Sequence, residues 1–194
     1  MTDAAAEIAG ARPPPSGVGP PHAGVGSAGM WTFLATDAMG FGGLFIAYGW
    51  LRVRAAAWPD PRSRLELAPA AAMTFALLAS SLTMTLAARA GTRGRRVGWL
   101  LATLILGLGF LAGAVSEDVH LAARMGFSSD LYASTFYALT GFHGLHVLAG
   151  IVAVASMLRP SARARAVEVT ALYWHFVDLA WMPIFTFFYL MPAQ

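Results

Sequence analysis

Read along the chain, long apolar runs alternate with short connectors that carry the charge. Five stretches, 30–51, 68–88, 97–116, 131–158 and 169–193, stand out. Each reaches the roughly 20 residues that cross a hydrocarbon core as a helix. Of the charged residues only Asp37 and Asp178 fall inside them. The connectors collect the rest, including Arg52, Arg54, Arg62 and Arg64, then Arg89, Arg93, Arg95 and Arg96. Soluble helices of such length would show a polar face. The pattern therefore predicts an all-α membrane protein, with five transmembrane helices in a bundle over residues 29–194.

Residues 1–28 break the pattern. They are rich in Ala, Pro and Gly and include Pro13, Pro14, Pro15, Pro20 and Pro21. With no basic stretch before an apolar core, the segment is not a signal peptide. It cannot bury enough surface to fold alone, so a disordered extramembrane tail is expected, with no role for His22. Further on, Pro59 and Pro61 predict a turned loop, and Pro183 a kink in the last span. Gly109 and Gly113 form a GxxxG pair, a candidate helix contact in lipid.

Composition agrees with the pattern. Apolar residues make up 57% of the 194 and charged residues 12%, against about 25% charge in ordinary globular chains. There is no cysteine, which excludes disulfides, thiolate metal sites and cysteine nucleophiles. A net charge of +3 gives no footing for nucleic acid. All 13 basic residues are arginine, and their placement sets the orientation. With the N-terminus cytoplasmic, Arg12, Arg89, Arg93, Arg95, Arg96, Arg159, Arg163 and Arg165 lie inside; Arg52, Arg54, Arg62, Arg64 and Arg124 lie outside. The excess of inner arginines predicts N-in and a periplasmic C-terminus.

The candidate chemistry lies in the few polar groups inside the spans. Asp37 stands about 10 Å and Asp178 about 13 Å into their helices at 1.5 Å per residue. An ionised carboxylate there must face protein, water or a lipid headgroup, or take a proton. Each is either a proton-exchanging or lipid-contacting acid, or a hydrogen-bonded pin between helices. His143 and His146 share a helix face by their spacing, as do His175 and Asp178. Three membrane histidines also admit haem or metal ligation, but two lie side by side on one helix rather than facing one another. Interhelical hydrogen bonding is the leading expectation. His120 is placed in the third connector, in contact with water. Glu117 and Asp118 close the third span near the outer interface. Nothing resembles a nucleophile with its base, a phosphate-cradling loop or a zinc hydrolase motif, so no catalytic site is expected.

Longer motifs carry a family resemblance. The run Ser134-Thr135-Phe136-Tyr137-Ala138-Leu139-Thr140-Gly141-Phe142-His143-Gly144-Leu145-His146-Val147 closely resembles the signature of subunit III of the haem-copper oxidases. So does Tyr173-Trp174-His175-Phe176-Val177-Asp178-Leu179-Ala180-Trp181. The first span, from Trp31 through Thr36-Asp37 and Phe41 to Tyr48 and Arg52, resembles the family's early membrane acid segment, and Phe127-Ser128-Ser129 its approach to the long helix. The likeness covers residues 30–192.

The resemblance implies an accessory subunit of a cytochrome c or quinol oxidase in a bacterial inner membrane. Such a subunit lacks haem, copper and an active site; these belong to the catalytic subunit I, which reduces O₂ and pumps protons beside it, with subunit II and others. It further implies a V-shaped cleft holding phospholipids, and the five-span, N-in form of the family. Where the family usually has Ser-Glu, this chain has Thr36-Asp37, one methylene shorter. By resemblance Asp37, Trp31, Glu117, His143 and His146 are lipid-cleft or proton-surface candidates. Trp174, His175, Asp178 and Trp181 are interhelical packing residues. Rival readings are an accessory subunit of a nitric oxide reductase, a small proton-coupled transporter using Asp37 and Asp178, and a membrane cytochrome using the histidines.

Overall fold

The computed structural model describes residues 25–60, 64–125 and 130–191, and the side chains of all of these except Val25, Arg124 and Met125. Residues 1–24 of the expected tail, with Arg12 and His22, lie outside the described residues, as do Pro61, Arg62 and Phe127-Ser128-Ser129. Five helices make up the fold: α1 Val25–Arg54, α2 Leu67–Ala88, α3 Arg93–Met125, α4 Leu131–Ser156 and α5 Ala164–Phe185. A π-helical turn, Thr186–Leu190, continues α5. No strand occurs among the described residues.

The helices outrun the apolar stretches. α1 begins at Val25, so residues 25–28, assigned to the tail, form its first turn. α3 covers 33 residues, about 50 Å at 1.5 Å per residue, and passes well beyond residue 116. His120 is therefore on a helix rather than in a connector, exposed, with its Nδ1 2.7 Å from the Ser116 carbonyl. No proline or glycine interrupts residues 114–124, so the backbone continues where the apolar run stops. Apolar runs mark the reach of lipid, not the end of the hydrogen-bond ladder.

Four helices are long and apolar enough to cross a membrane: Gly26–Arg54, Leu67–Ala88, Arg93–Ala123 and Leu131–Ser156. α5 carries Arg165, Glu168, His175 and Asp178 and is less apolar. It is nevertheless the middle of the bundle, packing on α1, α2 and α4. Trp174 and Trp181 are fully buried there. Their indole N–H groups each donate over 2.9 Å to α2, Trp174 to Ser80 Oγ and Trp181 to Thr74 Oγ1. Bulky rings need space, and glycines on both flanking helices supply it. A Cβ at Gly107 would lie 2.7 Å from Trp174 Cη2, and one at Gly150 2.9 Å from its Cε3.

That finding corrects the expected GxxxG contact. Gly113 does pack, its missing Cβ leaving room for the Met73 thioether, but Gly109 faces open space. The close-approach glycines are Gly107, Gly113 and Gly150.

α1 is held differently. Leu34, Phe41 and Tyr48, seven residues apart, are its buried large side chains, while Met39, Ile46, Trp50 and Val53 are exposed. A seven-residue spacing gives one narrow seam along a helix. Along this seam α1 meets α5 and α4.

Candidate functional site

The buried polar groups form a seam between helices, and counting their hydrogens decides what each can do. His146 on α4 reaches Asp37 on α1, Nε2 to Oδ1 3.1 Å, with 15% and 13% of the two side chains exposed. Its Nδ1 is 2.7 Å from the Phe142 carbonyl, which can only accept, so Nδ1 carries a hydrogen. One proton therefore remains to be shared between Nε2 and the Asp37 carboxyl. Asp37 Oδ2 is buried and accepts no hydrogen bond. The rings of Phe41 and Phe142 pack on the imidazole at 5.1 and 4.6 Å between centroids. Tyr173 donates to the His146 carbonyl at 3.0 Å, tying α5 to the same place.

His175 makes a second junction, with α2. Thr85 gives its hydroxyl hydrogen to the Ser81 carbonyl, so its oxygen, 3.3 Å from His175 Nε2, accepts. Nδ1 is left to accept from Ser81 Oγ at 2.6 Å. Both nitrogens of this histidine are thus used by hydroxyls. Asp178 is 5% exposed, and neither carboxyl oxygen has a hydrogen-bond partner among the described residues. Ser81 lies close to it but bonds His175.

His143 shares a face with His146 as expected, and both touch Phe41. Their surroundings differ. His143 is 1% exposed, with neither ring nitrogen hydrogen-bonded. It sits between Phe110, perpendicular at 5.7 Å, and Trp181 at 5.1 Å. Of the remaining candidates, Glu117 Oε2 accepts from Tyr189 at 2.6 Å, and Oε1 is buried without a partner. Trp31 is 61% exposed on α1 and joins none of these junctions. Among the described residues no three histidine, aspartate or glutamate side chains gather closely enough to hold a metal ion.

Two clusters escaped the reading of the sequence. Arg52 was assigned to a connector but lies in the last turn of α1, 5% exposed, donating to Tyr48 Oη at 2.9 Å. Tyr48 in turn donates to the Phe187 carbonyl at 2.9 Å, and Tyr132 to the Phe188 carbonyl at 3.0 Å. Two tyrosines thus satisfy acceptors of the π-helical turn that follows Pro183. Pro183 itself lies inside α5, where it has no N–H to give to the Leu179 carbonyl. The second cluster joins connectors: Arg64 pairs with Asp130, whose Oδ1 accepts the Ala133 N–H at 2.8 Å as the N-cap of α4. Partial burial pushes the Asp130 carboxyl up, but the Ala133 N–H and the Arg64 guanidinium together outweigh it and hold it below its ordinary value. Buried Tyr and Arg at a helix end, with Trp58 in the next connector, was the available signal.

These junctions are stretches of a known pattern. The model of the family described as cytochrome c oxidase subunit III matches residues 23–192. The chain belongs to that family. Among its relatives, "Probable cytochrome c oxidase subunit 3" of Mycobacterium bovis is 37% identical over 175 residues, 84% of this chain and 86% of the relative. The cytochrome c oxidase subunit 3 of Synechocystis sp. is 38% identical, over 84% of this chain and 74% of the relative. The cytochrome bo(3) ubiquinol oxidase subunit 3 of Pseudomonas aeruginosa is 35% identical, over 85% and 84%. The family match takes in every residue of the polar seam, from Asp37 to Tyr189.

Proposed function

We propose that the chain is the accessory, non-catalytic subunit III of an aerobic terminal oxidase. In this reading it receives electrons from neither donor itself and lends the catalytic subunit a rigid flank. One observation carries the reading: the family match covers all five helices, and within them Asp37, His146, His175, Trp174 and Trp181 are spent on holding one helix to another. Haem, copper and the reduction of O₂ belong to partner subunits I and II. Relatives of comparable identity include a cytochrome c oxidase and a ubiquinol oxidase subunit, so both donors fit.

The topology proposed is five spans, N-in and C-out, in a bacterial cytoplasmic membrane. Its support is where unbalanced charge lies. Arg89, Arg93, Arg95, Arg159, Arg163 and Arg165 are exposed at one end, where Arg165 also donates to Ser27 of α1 at 2.9 Å. At the other end Arg52 is taken up by Tyr48, and Arg64 by Asp130. Arg54 is exposed at this end as well, so the support is an excess of exposed arginines at the first end, six against one among the described side chains. Counted at 1.5 Å per residue, the 22 residues of α5 span about 33 Å, enough for the fifth crossing. The single narrow seam holding α1 supports a lipid-filled cleft beside it.

The test is affinity purification of the chain from membranes. Expected are a co-purifying haem-copper subunit and no haem spectrum from this chain once separated. Recovery of the chain alone with stoichiometric haem overturns the reading.

A further inference from the structure

A cavity of about 370 Å³ opens between the start of α2 and the outer half of α3. Its size is that of a small-ligand site, ~300–1,000 Å³. Its wall is apolar, built by Leu65, Pro69, Met73, Gly113 and Leu121, and its rim carries Arg64, Glu66, Glu117 and His120. Gly113 is a reason the cavity exists in this form, because a Cβ there would displace Met73 from the wall.

Depth and charge together identify what fits. The apolar run of α3 stops at residue 116, so Glu117 and His120 stand where hydrocarbon gives way to headgroups, with Met73 and Gly113 just below. An amphiphile entering from the bilayer would meet apolar wall first and charge second. The charge is arranged unevenly. Arg64 is fixed at one side by Asp130 and by the Tyr132 ring, 5.5 Å from its guanidinium. Glu66 and Glu117 are close enough to repel one another. Among the described residues nothing donates to the buried Glu117 Oε1, while its other oxygen is held by Tyr189. Two carboxyl groups lining one cavity, one with a buried oxygen that has no donor among the described residues, ask for a cation that can donate hydrogen bonds. The neighbouring guanidinium suits an anion a few ångströms away.

We propose that this cavity binds the headgroup of a phosphatidylethanolamine-type lipid, its primary ammonium donating to Glu117 and Glu66 and its phosphate lying toward Arg64. The site rests on the proposed membrane placement of this end of the bundle. It is separate from the cleft beside α1, since α2 and α3 alone build most of its wall.

The distinguishing chemistry is hydrogen-bond donation. Phosphatidylcholine has the same phosphate and the same charge, but its methylated ammonium donates no N–H. The intact oxidase complex containing this chain is exchanged into bilayers of equimolar phosphatidylethanolamine, phosphatidylcholine and phosphatidylglycerol, purified, and its retained lipid quantified by mass spectrometry. Expected is a several-fold enrichment of phosphatidylethanolamine over both others, lost with Glu117→Gln and reduced with Glu66→Gln. Equal retention of the ethanolamine and choline lipids in the wild type overturns the proposal, as does enrichment of phosphatidylglycerol. Unchanged selectivity in Glu117→Gln also overturns it. The wild-type comparison stands even if a variant fails to assemble. Failure of the chain to co-purify with an oxidase would instead strike at the function proposed above.

Discussion

At the scale of single residues, the polar side chains divide into those spent on holding helices together and those, such as His143 and Asp178, that are buried without a hydrogen-bond partner among the described residues. The hydroxyls of Thr74, Ser80, Thr83 and Thr85 on α2 donate back to their own helix and so offer acceptors outward, while Ser81 donates across to His175. Ser80 and Thr74 receive tryptophan N–H groups, and Thr85 receives the histidine N–H. The Asp37–His146 pair obeys the same accounting. Because the Phe142 carbonyl claims the Nδ1 hydrogen, a neutral His146 presents an acceptor to residue 37. Asn at that position can donate in place of the protonated acid, whereas Leu cannot. Asp37→Asn should therefore leave the thermal stability of the purified complex close to wild type. Asp37→Leu should lower it by ~0.6–2 kcal/mol, the range of interhelical hydrogen bonds in membranes. Matching losses for the two variants in a thermal melt would show instead that the pair needs a carboxylate charge.

The residues of this seam were visible in the sequence, but their pairing was not. Asp37 and His146 are 109 positions apart. Spacing along one helix predicts which groups share a face, as it did for His143 and His146, but not which helix that face meets. Arg52 shows the limit most plainly. Charge at the edge of an apolar run reads as a connector, whereas in the folded chain Tyr48 and Trp58 approach the buried cation.

At the scale of helices, apolar length located the elements and misjudged their ends. The two properties differ physically. Helix termination needs a competing hydrogen-bond partner or a breaker, while an apolar run ends wherever lipid ends. α4 has a true start signal, Asp130, which caps Ala133 and pairs with Arg64. Loss of such a cap costs ~1 kcal/mol, and the half-exposed ion pair adds little. The pH dependence follows from the depressed carboxyl of Asp130. In the unfolded chain it titrates near 4, and in the folded chain lower. Its contribution is therefore complete above about pH 4 and fades as acid protonates the folded group. Asp130→Asn should melt below wild type at pH 7, and the gap should close progressively below pH 4 in calorimetry of the detergent-solubilised protein.

Helix contacts were harder to foresee than helix positions. Gly109 and Gly113 have the expected spacing, yet only Gly113 makes a close approach, to Met73, and the other two are made by Gly107 and Gly150 around Trp174. A motif count treats every glycine alike. What selects among them is the position of the large ring opposite, which only the three-dimensional packing reveals.

At the scale of the whole molecule, the five-helix, all-α architecture was legible because lipid imposes a coarse rule that survives local error. The central position of α5 was not, since it carries Asp178 and His175 within its apolar stretch and is not among the four helices apolar enough to cross a membrane. Its histidine falls inward because hydroxyls of α2 take up both ring nitrogens. Orientation remains open to a direct experiment, made simple by the lack of cysteine. Ala56→Cys lies in the α1–α2 connector, and Ser161→Cys in the α4–α5 connector. In intact spheroplasts a membrane-impermeant maleimide should label the first and reach the second only after lysis. The reverse pattern would invert the topology.

The place of α5 has a consequence for how the protein is made. A ribosome delivers the four earlier helices before the keystone that touches all of them, with both of its anchoring indoles. Until those last two dozen residues emerge, Gly107 and Gly150 border a gap instead of a ring. A prematurely stopped chain would then insert in the membrane yet present a hollow flank, a defect that assembly factors and proteases could read before the oxidase is built.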